Sequence, residues 1–207
     1  MVVMHWLCHV VVYWVASFVT MLRYRHAWDS YCARNVCVNQ LATVIVAPVL
    51  YFGRYAMKPC ISDVHGLWQF PAAIVLLDPV FYCIHRLLHS PPFFDLFHRY
   101  HHRWSRPTGM SAIDATVTEH IVLNVAPVLF VACVVRMSDA VLMMWVMFVT
   151  TNTVVAHASE SKHAVHHRNR TKNYGVGLML MDRLMGTYGT TLKITTTRRT
   201  LRLRSSI

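Results

Sequence analysis

The chain has 207 residues, 55% of them apolar and only 14% charged, with a mean hydropathy of +0.37. That balance suits one compact domain or one small membrane unit, and excludes both a disordered chain and an ordinary soluble domain with a well-solvated surface. Twenty Lys and Arg against nine Asp and Glu give a formal charge of +11, which admits nucleic acid or an anionic membrane as a partner until the positions of the charges are considered.

Residues 1–22 contain no Asp, Glu, Lys or Arg and run directly into Arg23 and Arg25. Such a run is long enough to cross a hydrocarbon core of ~30 Å. A cleaved leader carries its positive charge ahead of the apolar stretch and a small-residue site behind it, so a retained membrane anchor is expected here. A second uncharged run covers 35–53, and a third covers 64–84 with Asp78 and Pro79 inside it. A fourth and fifth fill 121–156, broken only by Arg136, Ser138 and Asp139. They predict a tight helical hairpin turning at 136–139, with arms short enough to need tilt or local thinning of the bilayer. The predicted fold is therefore all-α, an integral membrane helical bundle of about four to five hydrophobic segments. Its parts are an anchor and connector over 1–34, a principal domain over 35–190, and a basic tail over 191–207.

This plan puts residues 23–34, 85–120 and 157–207 on one side of the membrane. Seventeen of the twenty Lys and Arg lie there, and only Arg54, Lys58 and Arg136 lie opposite. By the positive-inside rule that side is cytoplasmic and carries a helical cap. Topology and lipid headgroups thus account for the basic excess. No basic patch interleaved with aromatics is present, and no nucleic-acid partner is expected. The six cysteines are scattered through apolar stretches without a CxxC pair, so no disulfide framework is expected.

Ten of the fourteen histidines fall between His85 and His167, all on the predicted cytoplasmic side. His85 and His89 form an HxxxH; His98, His101 and His102 form an HxxHH; beyond the hairpin come His157 and a second HxxHH of His163, His166 and His167. On a helix, spacings of three and four share a face, so each box offers two or three imidazoles to one point. Three such faces brought together would hold two metal ions. Imidazole suits iron, zinc, copper and nickel alike, so the ligands alone do not name the metal. Taken singly, His5, His9, His26 and His65 read as packing or interfacial residues. Eight in three spaced boxes at one membrane face do not.

The order HxxxH, HxxHH, HxxHH around a membrane hairpin resembles the fatty acid hydroxylase and sterol desaturase superfamily of integral-membrane non-haem diiron oxygenases. The resemblance includes Asn39 and Gln40 ahead of the second span, DPVFYCIHRLLH at 78–89 and FDLFHRYHHRWSRPTGMSA at 94–112. It continues through NYG at 173–175 and DRLMGTY at 182–188. It implies two iron ions on the nine box histidines (zinc in their place after recombinant expression), with O2 and electrons from NAD(P)H through cytochrome b5 or a similar external carrier. The implied reaction is hydroxylation or desaturation of a sterol or fatty-acyl lipid, in the endoplasmic reticulum membrane if the cell is eukaryotic. The segment PTGMSA at 107–112 resembles sterol 4-methyl oxidases and puts the sterol branch slightly ahead.

Many members of the superfamily carry His-Pro three residues before a glutamate, where this chain has Thr116 and Val117 ahead of Glu119. A ligand is therefore absent at Thr116. His120, one turn along the same face, is a candidate replacement, and a site with one ligand fewer is the alternative. Asp78 lies two turns before His85 and is expected to accept a proton from a ligand imidazole; Glu119 and Asp182 are further candidates for that role. The chain has no HExxH, as a site-embedded membrane protease would need, and its boxes lie outside the spans, unlike a transport path. An inactive metal-binding scaffold of the same fold is the alternative to an enzyme.

Overall fold

The computed structural model describes residues 2–56, 66–158 and 161–189. Five long helices carry the fold: α1 Val2–Tyr24, α2 Ser30–Ala56, α3 Gly66–Leu88, α4 Val117–Val134 and α5 Asp139–Ala158. Two short ones follow, α6 Lys162–Arg168 and α7 Leu180–Leu184, and no strand occurs among the described residues. Each of the five long helices contains a stretch long and apolar enough to cross a membrane.

The bundle carries apolar stripes on its outside and buries many of its polar side chains. Ile45 and Val49 on α2 are 75% and 74% exposed, whereas Asn39 on the same helix is fully buried. Val11, Val15, Phe18 and Leu22 form an exposed apolar stripe on α1 at helical spacing. A soluble protein of this size could not keep such stripes in water; a bilayer is the solvent that makes them favourable. The interior is nonetheless well packed. Phe81, Leu123, Leu142 and Trp145 centre one cluster between α3, α4 and α5, and Tyr13, Val36, Met110 and Val154 centre another nearer α1 and α2.

Alternation of the five helices brings the carboxyl ends of α1, α3 and α5 and the amino ends of α2 and α4 to one end of the bundle. At the other end, His5 Nε2 on α1 approaches the carbonyl of Asp139 at 3.2 Å, and Gln69 on α3 donates to the carbonyl of Arg136 in the α4–α5 turn. The expected hairpin is present, with its turn between Val134 and Asp139. Between α3 and α4 the chain makes a π turn Phe94–His98 and two 3-10 turns, His101–Arg103 and Gly109–Ile113. The last turn packs against α1 and α5 at Gly109, where a Cβ would lie 2.2 Å from Thr20 Oγ1 and 2.9 Å from Val154 Cγ1.

Two details differ from the sequence reading. Helix α2 begins at Ser30, so Asn39 and Gln40 lie inside it; Asn39 Nδ2 donates to the carbonyls of Ile113 and Ala115, and Gln40 accepts from the indoles of Trp6 and Trp14. Helix α4 begins at Val117, capped by the Thr116 hydroxyl, and passes through a π turn at His120–Val125 just before Pro127, whose ring cannot donate to the preceding turn. Cys8, Cys32, Cys37, Cys83 and Cys133 are free thiols. The basic tail over 191–207, Lys58 and His65 lie outside the described residues.

Candidate metal centre

Nine histidines converge where the five helix ends meet. His85, His89, His98, His102 and His166 form one group, and His101, His157, His163 and His167 form a second; within each, one ring nitrogen per residue lies within 4.8 Å of all the others. The sequence boxes do not map one to one onto these groups. His101 and His102 are neighbours in the chain yet serve different groups, and so do His166 and His167, so each HxxHH straddles both points. The two groups are adjacent, with the rings of His102 and His167 at 4.6 Å between centroids.

The rings are aimed by their Nδ1 atoms, which donate mostly to main-chain carbonyls. His85 Nδ1 bonds to the carbonyl of Tyr174, His163 to that of Gly175 and His166 to that of Lys172. His101 bonds to Asp114, His157 to Thr153 in its own helix, and His167 to Trp104. His98 Nδ1 instead lies 2.8 Å from the buried Glu119 carboxylate, and His102 Nδ1 is buried with no partner among the described residues. With Nδ1 carrying the proton, the neutral ring presents a bare lone pair at Nε2.

Those lone pairs face each other. His85 Nε2 and His98 Nε2 are 3.0 Å apart, His166 Nε2 is 2.9 Å from His89 Nε2 and 3.1 Å from His102 Nε2, and His157 Nε2 is 3.3 Å from His101 Nε2. In the His101–His157 pair both Nδ1 protons already have carbonyl acceptors, so no proton is left to sit between the Nε2 atoms. A cation removes that repulsion. Nitrogens sharing one ion at ~2.1 Å stand about 3.0–3.4 Å apart, which these spacings match. The residues present therefore fit two metal ions, held by five and four imidazoles.

Burial, reinforced by neighbouring imidazoles, pushes the basicity of the rings outside the spans far down. His101 falls to about 4 and His89 to about 2, and His98, His102, His163, His166 and His167 fall well below the ordinary histidine range. All are thus uncharged at neutral pH, which is the state a metal ligand requires.

The carbonyls that orient the rings are themselves held. Asp182 accepts from the backbone N–H groups of Tyr174 and Gly175 at 2.9 and 2.7 Å and from the Thr187 hydroxyl at 2.7 Å. Asn173, in the left-handed region at φ 55°, donates to the carbonyls of Lys162 and Gly189. A Cβ on Gly175 would lie 2.9 Å from Asp182 Oδ2. The NYG and DRLMGTY segments are thus one folded clasp that presents two carbonyls to His85 and His163, and the adjoining Lys172 presents a third to His166. Asp114 plays a comparable part across the site: its carboxylate takes Asn35, Arg103 and Trp104, and its carbonyl takes His101.

Sequence reasoning missed Asp114. The signal available was its rarity, since only nine acidic residues occur in the chain and a fully buried one needs several donors.

Two expected placements differ. Asp78 does not reach His85; its Oδ2 accepts from the backbone N–H of Met181 at the start of α7, so it pins that helix to α3. His120 belongs to neither group; its Nε2 lies 2.8 Å from Thr43 Oγ1, facing α2. The reason is local. On a helix, residues 119 and 120 point about 100° apart, so Glu119 facing His98 turns His120 away from the metal centre. Thr116 caps α4 and donates to the carbonyl of Phe97, leaving the second group at four histidines.

Toward the membrane the centre is floored by a cavity of about 110 Å³ between α1, α2, α3, α4 and α5. Its walls include Leu77, Phe81, Leu123, Leu142 and Val149, with His9 and His120 among the few polar groups. It reaches the metal centre through Phe81, whose ring meets His85 edge-on at 5.4 Å, and through Thr153, whose carbonyl holds His157.

A family model described as fatty acid hydroxylase matches residues 70–187. Fatty acid hydroxylase domain-containing protein 2 of Homo sapiens is 30% identical over 163 residues, covering 74% of this chain and 49% of that protein. Methylsterol monooxygenase erg25B of Aspergillus fumigatus is 25% identical, covering 79% of this chain and 63% of its own. Delta(7)-sterol 5(6)-desaturase ERG3A of Gibberella zeae is 29% identical over 61% of this chain and 40% of its own. The chain thus spans roughly half the length of the curated relatives it matches. No solved structure matches it.

Proposed function

Because the chain belongs to the fatty acid hydroxylase family, we propose that it is an integral-membrane lipid oxygenase whose nine clustered histidines hold two iron ions. The observation that carries this reading is the pair of adjacent imidazole groups whose ring nitrogens converge, with no proton left between His101 and His157. When bound, a pair of redox-active iron ions supplies the activation of O2 that attack on an unactivated C–H bond requires. The protein's own part is threefold. The 172–175 segment and Asp114 fix seven ring orientations together with Glu119, Thr153 and Trp104. The bundle keeps water from the centre. The cavity under Phe81 delivers a lipid chain from the bilayer and sets which carbon faces the metals.

The family resemblance supports delivery of two electrons to the centre from NAD(P)H through cytochrome b5 or a similar external carrier. The histidine end faces the cytoplasm, where such carriers are found, and the membrane is that of the endoplasmic reticulum if the cell is eukaryotic. Sterol and fatty-acid names both occur among the relatives, and both lipid classes are within the proposal.

Lipid profiling of cells that gain or lose this protein, with sterols and acyl chains both resolved, tests the reading. A product heavier by one oxygen identifies hydroxylation, and one lighter by two hydrogens identifies desaturation. An unchanged lipidome in the presence of O2, iron and a reductase would leave a metal-holding scaffold.

A further inference from the structure

His120, which is buried, and His9, which is half-buried, belong to neither metal group, and both line the cavity beneath the centre. The bonding of His120 can be worked out proton by proton. The Thr43 hydroxyl donates to the carbonyl of Asn39 at 3.0 Å, which uses its only proton. Its oxygen must therefore accept from His120 Nε2, 2.8 Å away. In the neutral ring that leaves Nδ1 as a bare acceptor. This atom is buried and has no hydrogen-bond partner among the described residues, on a residue only 1% exposed. His9 is arranged in the same way from the opposite wall: Nδ1 lies 2.9 Å from Thr150 Oγ1, and Nε2 is buried without a partner.

An unpartnered ring nitrogen in apolar surroundings is costly, and a native site of this kind is completed by something that bonds it. The acceptor at His120 Nδ1 demands a donor, which excludes a hydrocarbon end, an ether, a ketone or an ester. No Asp or Glu side chain lines the cavity, so nothing there would balance a cationic amine. A hydroxyl both donates and accepts, and it can bridge two imidazoles whichever proton His9 carries.

We propose that His120 and His9 form a hydroxyl-recognising pair in the lipid chamber, so that the occupant is a lipid with a free hydroxyl group. Calling that lipid the substrate rests on the oxygenase reading; the binding claim does not. The pair also sets a ruler. Thr150 precedes His157 by seven residues, about 10 Å of helix, and His120 directly follows the glutamate that faces His98. The carbon presented to the metals therefore lies within roughly that distance of the hydroxyl.

The test uses the full chain in detergent micelles, metal-free and metal-loaded, with Trp fluorescence as readout because Trp6 lines the cavity. The probes are 1-hexadecanol, hexadecyl methyl ether, cholesterol and cholesteryl methyl ether. The wild-type protein should prefer the free alcohol to its ether by about tenfold in at least one of the two pairs, the size of one well-made buried hydrogen bond. In His120→Phe that preference should vanish while ether affinity stays within about twofold, and His9→Phe should weaken it. Equal binding of alcohol and ether by the wild-type protein, which would leave a water on His120, overturns the proposal without any variant. Full preference in a folded His120→Phe, or no saturable binding of any probe, overturns it too. Alcohol preference without O2-dependent turnover would keep the pair and sink the oxygenase reading, and turnover without preference would do the reverse.

Discussion

At the scale of single residues, the site depends on which nitrogen of each ring carries its proton. That is set by carbonyls far away in sequence: Tyr174 for His85, Gly175 for His163, Lys172 for His166. Asp182 fixes two of the three residues, so Asp182→Ala should lower metal affinity by about 10- to 100-fold without removing any ligand. Metal titration of the folded variant checks this, and an unchanged affinity would count against the clasp. The depressed basicity of His89, His98, His101, His102, His163, His166 and His167 has a pH consequence. Each ring is neutral when folded but titrates near ~6.5 when unfolded. The unfolded chain therefore binds more protons below that pH, so stability present above it is lost as the pH falls. The metal-free protein should melt several degrees lower at pH 5.5 than at pH 8, and a flat profile would contradict the burial of these rings. The box spacings made the nine histidines legible in the sequence. Their division into two groups was not, because it depends on where three separate turns meet, and the main-chain acceptors leave no residue signature. His120 and Asp78 were misplaced because helical phase gives a direction but not the neighbour found there.

At the scale of elements, the five apolar runs were legible to within a few residues because hydropathy and charge interruption report directly on what a bilayer admits. The connection between α3 and α4 was not. It is a chain of π and 3-10 turns, which have no periodic apolar pattern, and its position is fixed by tertiary contacts such as Tyr13 Oη to the carbonyl of Met110. Gly109 is the tightest of these contacts. Gly109→Ala should destabilise the protein by about 1–3 kcal/mol through forced displacement of Thr20 and Val154, and should loosen the second group by shifting Asp114. Thermal melting together with metal affinity checks both effects; a variant as stable as the parent would show that the turn can move away from α1. The π turn in α4 has the opposite character. It begins at His120, directly after Glu119, and the ordinary helical step there points Glu119 to His98 and His120 to α2.

At the scale of the whole molecule, the bundle is apolar on its outer face, is packed inside by two apolar clusters with buried polar groups among them, and gathers its metal-binding groups at one end. From the positive-inside rule we propose that this end faces the cytoplasm. Single cysteines introduced at Arg170 and at Arg136 should label from opposite sides of sealed vesicles, with Arg170 protected from the non-cytoplasmic side; labelling from one side at both positions would refute the topology. The family was legible from the box order, and the lipid was not, since the cavity that would select it is assembled from five helices that no motif marks. The central claim is that two groups of histidines each hold a metal ion. It is tested most directly by the metal content of the purified, folded chain, measured for the wild-type protein and for His102→Ala with His167→Ala, one ligand from each group. The account predicts about two ions per wild-type chain, iron or zinc, and loss of most of that content in the double variant with the helical fold retained. Metal content near zero in the folded wild-type protein, or full content in the double variant, would contradict it.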